Sequence, residues 1–324
     1  MELHRKKILD LQEQYAMTRI AILIPCYNEG ITIRKVVDDF HREIPEAEIH
    51  VFDNNSSDNT LQAARDAGAM VHRVPIQGKG AAVRQMFRVI DADVGVMVDG
   101  DDTYPADRVR DVIRPVLEGD AEMVVGTRLA QHQDASFRPL HVFGNQLVLR
   151  SINLLFGARL SDVLSGYRAF SRRFMATTPI LSRGFEIETE ITLHALEHQL
   201  PVVEVPVAYG ARPAGSESKL HTFRDGYRVL RTVLRLYKDY RPLLFFGFIG
   251  LVMAVTSLAI GAVIIDEFLR TGRAGPARAV LAVALALLGC LSVATGLVLD
   301  TVNRRSRELM ILLADQLIER SIRK

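Results

Sequence analysis

Three carboxylates, Asp99, Asp101 and Asp102, close the stretch from Val94 to Pro105, with Gly100 between the first two. Val94, Val96, Met97 and Val98 lead into them, and this short apolar run predicts a buried central strand of a parallel sheet. Acids at the carboxyl end of such a strand lie where open α/β sheets bind their ligands. Asp99 and Asp101 can present oxygens to one hard divalent cation, of the kind that keeps several waters and bridges substrate phosphates. The competing reading of the same acids is a polar turn that caps the helix after Pro105.

The elements that would position this pair alternate along the chain. A strand over 19–25 is followed by the turn Cys26-Tyr27-Asn28-Glu29-Gly30 and a helix to about Glu43. A strand over 49–53 ends in Asp53 and the polar run Asn54 to Asp58, with a helix from Thr60. A strand over 70–74 precedes Gln77-Gly78-Lys79-Gly80, which opens a helix reaching about Val89. Strand and helix in alternation with short turns predict a mainly parallel sheet with helices on both faces. Its strand ends would gather Tyr27, Glu29, Asp53, Lys79, Asp99 and Asp101 around one crevice. A nucleobase needs an aromatic or apolar wall and an acceptor for its ring N–H. Tyr27 and Asp53 meet those needs, and Lys79 suits a ribose or phosphate. Asp58 or Asn59 is placed to cap the helix from Thr60, whereas Asp53 lies too far upstream to do so. Gly78-Lys79-Gly80 has the look of a phosphate cradle without the spacing of a Walker motif, and a plain helix-opening turn explains it equally well.

Pro25-Cys26-Tyr27-Asn28-Glu29, Asp53 with Asp58, Gly78-Lys79-Gly80 and Asp99-Gly100-Asp101 together resemble the family-2 glycosyltransferases of the GT-A fold. The resemblance implies a Rossmann-like catalytic domain over 19–220 that uses a nucleotide-sugar donor, UDP- or GDP-linked. It implies that Asp99 and Asp101 carry Mg2+ or Mn2+ on the donor diphosphate. Pro25, Tyr27, Glu29, Asp53, Lys79 and Gly100 would line the nucleotide site, with Asp102 peripheral.

Further along, Val124 to Arg128 reads as a strand ending in arginine, followed by a loop from Leu129 to Arg138 and an amphipathic helix from Gly144 through Phe156. Leu160-Ser161-Asp162 and Ser165-Gly166-Tyr167-Arg168 come next. This series is similar to the dolichyl-phosphate mannose synthases and bactoprenol glucosyltransferases, which transfer one sugar to a polyprenyl phosphate. Arg212 and the run Gly215 to Leu220, including Lys219, resemble their basic loop. The resemblance makes Asp101, Arg128, Asp162, Arg212 and Lys219 the catalytic candidates, the cations neutralising donor or acceptor phosphates. Asp162 has an equally good structural reading as the ion-pair partner of Arg168. Thr103 departs from the glutamine those synthases often carry in the metal motif. Among Glu186, Glu188 and Glu190, one is a candidate to orient the acceptor and the rest read as scaffold.

A phosphate monoester is largely dianionic at pH 7, so such an acceptor needs no general base. That agrees with the absence of any Ser/His/Asp or Cys/His constellation in the sequence. A single in-line displacement predicts inversion at the anomeric carbon.

The chain has 324 residues and a net charge of +2, so no nucleic-acid partner is expected. Cys26 and Cys290 lie far apart and imply no disulfide framework. Residues 1–18 carry charges throughout and have helical spacing, which predicts a surface helix and no cleaved leader. Leu243 to Ile265 and Ala279 to Leu299 contain no charged residue, and each is long enough to cross a bilayer. Residues 242–300 are therefore expected to form two transmembrane helices. Arg231, Arg235, Lys238 and Arg241 before them and Arg304, Arg305 and Arg307 after them favour both chain ends on the cytoplasmic side. Residues 221–241 interleave aromatic or leucine positions with Arg224, Arg228 and Arg231, the pattern of a juxtamembrane amphipathic helix. Residues 301–324 predict a cytoplasmic helix, and small residues such as Ala282 and Ala286 suit close helix pairing or a homo-oligomer.

Three other readings compete. A processive polysaccharide synthase shares the donor fold, but the Gln-x-x-Arg-Trp motif of such enzymes is impossible in a chain with no tryptophan. A nucleotidyltransferase leaves the apolar segments unexplained. A non-catalytic membrane scaffold that binds sugar nucleotides leaves the acidic pair unexplained.

Overall fold

The computed structural model describes residues 18–128, 139–181, 187–210, 231, 234–273 and 275–322. The expected helix over 1–17, the loop from Leu129 to Arg138, Glu186, the basic loop with Arg212 and Lys219, and residues 221–230 of the juxtamembrane segment lie outside them. By contacts the chain divides into two units, 1–138 with 158–221, and 139–157 with 222–324.

The first unit is built on a seven-stranded sheet. Its elements in chain order are β1 (Ile20–Cys26), α1 (Ile33–Glu43), β2 (Glu48–Asp53), α2 (Thr60–Asp66), β3 (Met70–Arg73), α3 (Lys79–Val89), β4 (Val94–Met97), α4 (Val109–Leu117) and β5 (Met123–Arg128). After α5 (Pro139–Phe156), which belongs to the other unit, come β6 (Arg168–Ser171), α6 (Arg172–Thr177), α7 (Ile187–Glu197) and β7 (Val202–Val207). The strand order is β3-β2-β1-β4-β6-β5-β7. β6 runs antiparallel to both of its neighbours, and every other pairing is parallel. Six carboxyl ends therefore share one edge, and the loop that enters β6 arrives at that same edge.

The expected strands over 19–25, 49–53 and 70–74 form with shifts of about one residue at their ends. β1 alternates strictly. Ile20, Ile22 and Ile24 join one core with Val36, Val51 and Val124, while Ala21 and Leu23 face another with Phe52, Met86 and Phe170. Both faces of the sheet are thus buried, which is why its strands read as continuous apolar runs.

The second unit contains two long helices, α8 (Pro242–Thr271) and α9 (Pro276–Ile322). Each is long and apolar enough to cross a membrane, and only 6% and 17% of their most apolar windows are buried. A core helix of a soluble protein would be mostly buried, so the exposed apolar surface sets these two apart. They approach closely at small residues. A Cβ on Gly250 would come within 2.8 Å of the Gly289 carbonyl, and one on Gly296 within 3.2 Å of the Leu243 Cα. Ser257 Oγ donates to the Ala282 carbonyl at 2.7 Å and Ser292 Oγ to the Phe246 carbonyl at 2.8 Å. Small residues and hydroxyls of this kind are what holds helices together where lipid removes the hydrophobic incentive. At the base of α8, Arg241 donates to the Leu155 carbonyl at the end of α5, and Tyr240 packs edge-on against Phe156.

Residues 301–322 are helical and continuous with the second apolar helix: α9 runs without a break to Ile322. No glycine or proline follows Gly296 in the sequence, and one-turn ion pairs, Asp300 with Arg304 and Arg305 with Glu308, carry the helix past its apolar stretch.

Replacing Gly250 with leucine forces its side chain into the Gly289 backbone, and overpacking of this kind costs about 1–3 kcal/mol. Thermal unfolding of the detergent-solubilised protein should show a lowered midpoint for the second unit, and an unchanged midpoint would disprove the close crossing.

Candidate active site

β4 hands the chain to the acidic loop directly after its last hydrogen bond to β1. Val98 N still bonds to the Leu23 carbonyl, and Asp99 follows immediately. Asp99 is enclosed from two sides. The Lys79 ammonium lies 2.5 Å from its Oδ1, and Gly166 presses so closely on the carboxylate that a Cβ there would overlap it. Lys79 also reaches Glu188 Oε1 on α7, again at 2.5 Å. Burial works against the ammonium, but the charges of Asp99 and Glu188 outweigh it and hold the Lys79 pKa above the ordinary lysine range.

Asp101 is buried, and its Oδ1 accepts from Thr103 Oγ1 at 2.6 Å and from Thr103 N at 3.3 Å. Thr103, the departure from the resemblance, thus orients one of the two acids. Gly100 lies over Cys26: a Cβ there would stand 2.7 Å from the Cys26 Sγ. Burial raises the Cys26 pKa well above its usual value, so the thiol stays protonated and serves as packing. Asp102 turns away from this group in the left-handed region (φ 59°) and accepts from Lys35 on α1 at 2.7 Å.

Among the described residues no three His, Cys, Asp or Glu side chains converge to form a metal cage. Two hard carboxylates from one loop still fit an Mg2+ or Mn2+ that completes its shell with water and phosphate oxygens; they do not fit an ion enclosed by protein alone.

The loops after β1 and β2 are fastened together. Asn28 N donates to Ser56 Oγ and Asn28 Oδ1 accepts from Ser57 N, at 2.9 and 2.8 Å. Glu29 N donates to Thr60 Oγ1, and Asp58 accepts from Gly30 N and Thr60 N, both at 3.0 Å. Asp58 is therefore the acid that serves the start of α2, and Asn59 makes no capping bond. Asp53 is buried beside Cys26 in the sheet register, and one of its oxygens accepts from Ser56 N at 3.3 Å. Pro25 is half-buried at the end of β1, and Tyr27 is exposed just beyond it.

One residue missed in the sequence organises this side. Asn54 is buried, donates to the carbonyls of Val74 and Ile76, and accepts from Gly78 N at 2.6 Å. Gly78 has φ +126°, a conformation open to glycine, and it is the residue before Lys79. Asn54 therefore sets the turn that aims Lys79 at Asp99.

On the other side, Arg128 ends β5 and meets Asp162 in a two-pronged pair, Nε to Oδ2 at 2.7 Å and Nη2 to Oδ1 at 2.9 Å. The Arg128 guanidinium also lies over the Tyr209 ring, 5.5 Å from its centre. The alternative pairing of Asp162 with Arg168 does not occur. Arg168 points into the core, fully buried, and donates to the carbonyls of Val163 and Ser165 and to Thr192 Oγ1. Neighbours in sequence are separated here because β6 starts at Arg168 and turns that side chain inward, while Asp162 stays at the edge. Glu204 on β7 holds the loop from below by accepting from Ser161 N and Asp162 N, at 2.7 and 3.1 Å. Tyr104 accepts from Gly166 N at 3.0 Å, which fixes the glycine that backs Asp99.

The sheet edge thus brings together Asp53, Lys79, Asp99, Asp101 and Arg128, at or just past the carboxyl ends of β2 to β5, and Asp162 in the loop that enters the antiparallel β6. Burial alone would raise the Asp162 pKa. Its bonds from Arg128 and from Leu164 N outweigh that and hold it below the ordinary value near 3.8. The sign of the pH effect follows. The stabilisation is complete above pH 3.8, the unfolded-state value, and disappears as pH falls through the depressed folded-state value. Asp162→Asn should lower stability at pH 7 by about 2–4 kcal/mol, since it leaves Arg128 half-buried without its counter-charge. Denaturant titrations at neutral and acid pH should show this gap narrowing in acid; a gap independent of pH would refute the pair.

Comparison with known proteins supplies the family. The model of glycosyl transferase family 2 matches residues 21–177. The chain is 33% identical over 292 residues to glycosyltransferase AglJ of Haloferax volcanii, covering 90% of this chain and 96% of that one. It is 27% identical to the dolichyl-phosphate hexose transferase of the same organism, covering 70% of this chain and 98% of that one. In fold it is similar to the crystal structure of glucosyl-3-phosphoglycerate synthase from Mycobacterium tuberculosis in complex with Mn2+ and UDP-glucose. That match has a TM-score of 0.58 and 22% identity, and covers 71% of this chain and 82% of the other. The chain belongs to glycosyl transferase family 2, and its sheet domain has the GT-A fold.

Proposed function

For this glycosyltransferase we propose the transfer of a single sugar from a nucleotide-sugar to a polyprenyl phosphate, of the undecaprenyl or dolichyl type, at the cytoplasmic face of a membrane. The observation that carries the reading is one sheet edge that holds an acidic pair at β4 in a chain whose second unit exposes two bilayer-length apolar helices. The names of the relatives support the acceptor: one is a dolichyl-phosphate hexose transferase.

On this reading Pro25, Tyr27, Glu29 and Asp53 take the nucleoside, with Tyr27 as a wall and Asp53 as an acceptor. Gly100 gives the chain its close turn beneath the diphosphate, and Lys79 meets a phosphate oxygen. Asp99 and Asp101 would hold Mg2+ or Mn2+, which when bound supplies charge neutralisation for the leaving diphosphate. Arg128, positioned by Asp162, serves the acceptor phosphate, and Arg212 and Lys219 of the basic loop are assigned the same neutralising role from sequence. The acceptor phosphate oxygen forms the new bond to the anomeric carbon as the bond to the nucleoside diphosphate breaks. The diphosphate leaves with the electron pair, no proton need be removed, and the sugar inverts. The two apolar helices keep this chemistry beside the bilayer that holds the lipid, with both chain ends on the cytoplasmic side.

The test is transfer of labelled sugar from UDP- and GDP-sugars to polyprenyl phosphate in detergent. Asp99→Asn and Asp101→Asn should each reduce turnover at least about a hundredfold with the fold intact by circular dichroism. Near-normal transfer by both variants would remove the acidic pair from the mechanism. Donor hydrolysis without lipid product from the unaltered protein would remove the acceptor.

A further inference from the structure

Lys79 is the buried cation of the acidic corner, and it is shared. Its ammonium lies 2.5 Å from Asp99 Oδ1 and 2.5 Å from Glu188 Oε1, with side-chain exposures of 12% for Lys79 and 6% for Glu188. The two carboxylates come from different elements, the loop after β4 and the helix α7. A lysine needed only to neutralise Asp99 has no use for a second acid behind it, and burying Glu188 there has a desolvation cost that one contact with Lys79 must offset. The lysine itself is set by a constrained turn, with Asn54 fixing Gly78. Two acids and one cation at equal distances make a pair of alternative berths.

We propose that Lys79 is a resident cation on Asp99 that a divalent ion displaces, and that Glu188 is the berth that retains it. The inference rests on the assignment of Asp99 to metal binding made above. With no metal, the ammonium bridges both acids. With a divalent ion on Asp99, the ammonium loses one partner, stays with Glu188, and keeps its remaining donors for the phosphate oxygens that arrive with the donor. Glu188 is then a positioning residue. It acts through Lys79, and its task is to keep Lys79 from holding Asp99 by itself. In Glu188→Gln the counter-charge is gone, and the ammonium settles on Asp99 as a competitor of the metal.

The experiment is Mn2+ binding to the full chain in detergent, with no nucleotide present, followed by the electron paramagnetic resonance signal of free Mn2+ at low and high salt. Lys79→Met should bind Mn2+ about three- to tenfold more tightly than the unaltered protein. The gain should survive high salt, because contact competition is screened much less than a distant field. Glu188→Gln should bind it about three- to tenfold more weakly. In the double variant the Glu188 effect should shrink below about twofold, since no ammonium remains to be held. Circular dichroism identifies any variant that does not fold, and Lys79→Gln substitutes for Lys79→Met should that one fail. Equal or weaker Mn2+ binding without Lys79, or additive effects of the two substitutions, would overturn the displacement while leaving the metal site intact. No Mn2+ binding even by the unaltered chain would overturn the metal assignment and this inference with it.

Discussion

The site depends on a carboxylate that sits at the end of a buried strand and cannot be left alone. Asp99 emerges from a sheet covered on both faces, where an uncompensated charge is costly. The chain meets that cost with an ammonium from the turn after β3, and it confines the acid with a glycine from the loop before β6. Each of those contacts needs its own support. Asn54 shapes the turn that carries Lys79, Tyr104 pins Gly166, and Glu204 holds the segment that leads to it. The loops after β2, β3 and β4, the loop before β6 and one side chain of β7 are thereby tied to one charge.

What could be read from residues alone follows the same physics. β1 and β4 announce themselves because both of their faces are apolar, β2 and β3 are marked by the polar turns that follow them, and the polar ends identify the edge. The acidic pair and Lys79 fall out of strand order. The later strands were hidden for opposite reasons. β6 is four residues long and begins with a buried arginine, which no periodicity marks as strand. β7 contains Pro206, which ordinarily argues against a strand and is tolerated here because β7 lies at the border of the sheet. Glu188 was one of three glutamates at alternate positions, and only the helical twist of α7 shows which of them is buried next to Lys79.

The fate of Arg168 illustrates why ion pairs are hard to read from sequence. Asp162 and Arg168 are near enough along the chain to meet, and charge alone favours it. The fold instead gives Asp162 a bidentate partner from β5 and surrounds Arg168 with carbonyls and a threonine hydroxyl. Burial pushes the pKa of Arg168 down, the charges of Glu188 and Asp162 work against that, and the carbonyls and the hydroxyl take up its donors. Which arrangement forms is decided by strand direction, because the antiparallel β6 presents its first side chain inward.

The unbroken helix α9 has a mechanical meaning. At 1.5 Å per residue its 47 residues extend about 70 Å, whereas a bilayer interior takes up about 30 Å. A rod of that length is about twice as long as a bilayer interior is thick, so any tilt of its apolar first half swings the far tip through a much larger arc.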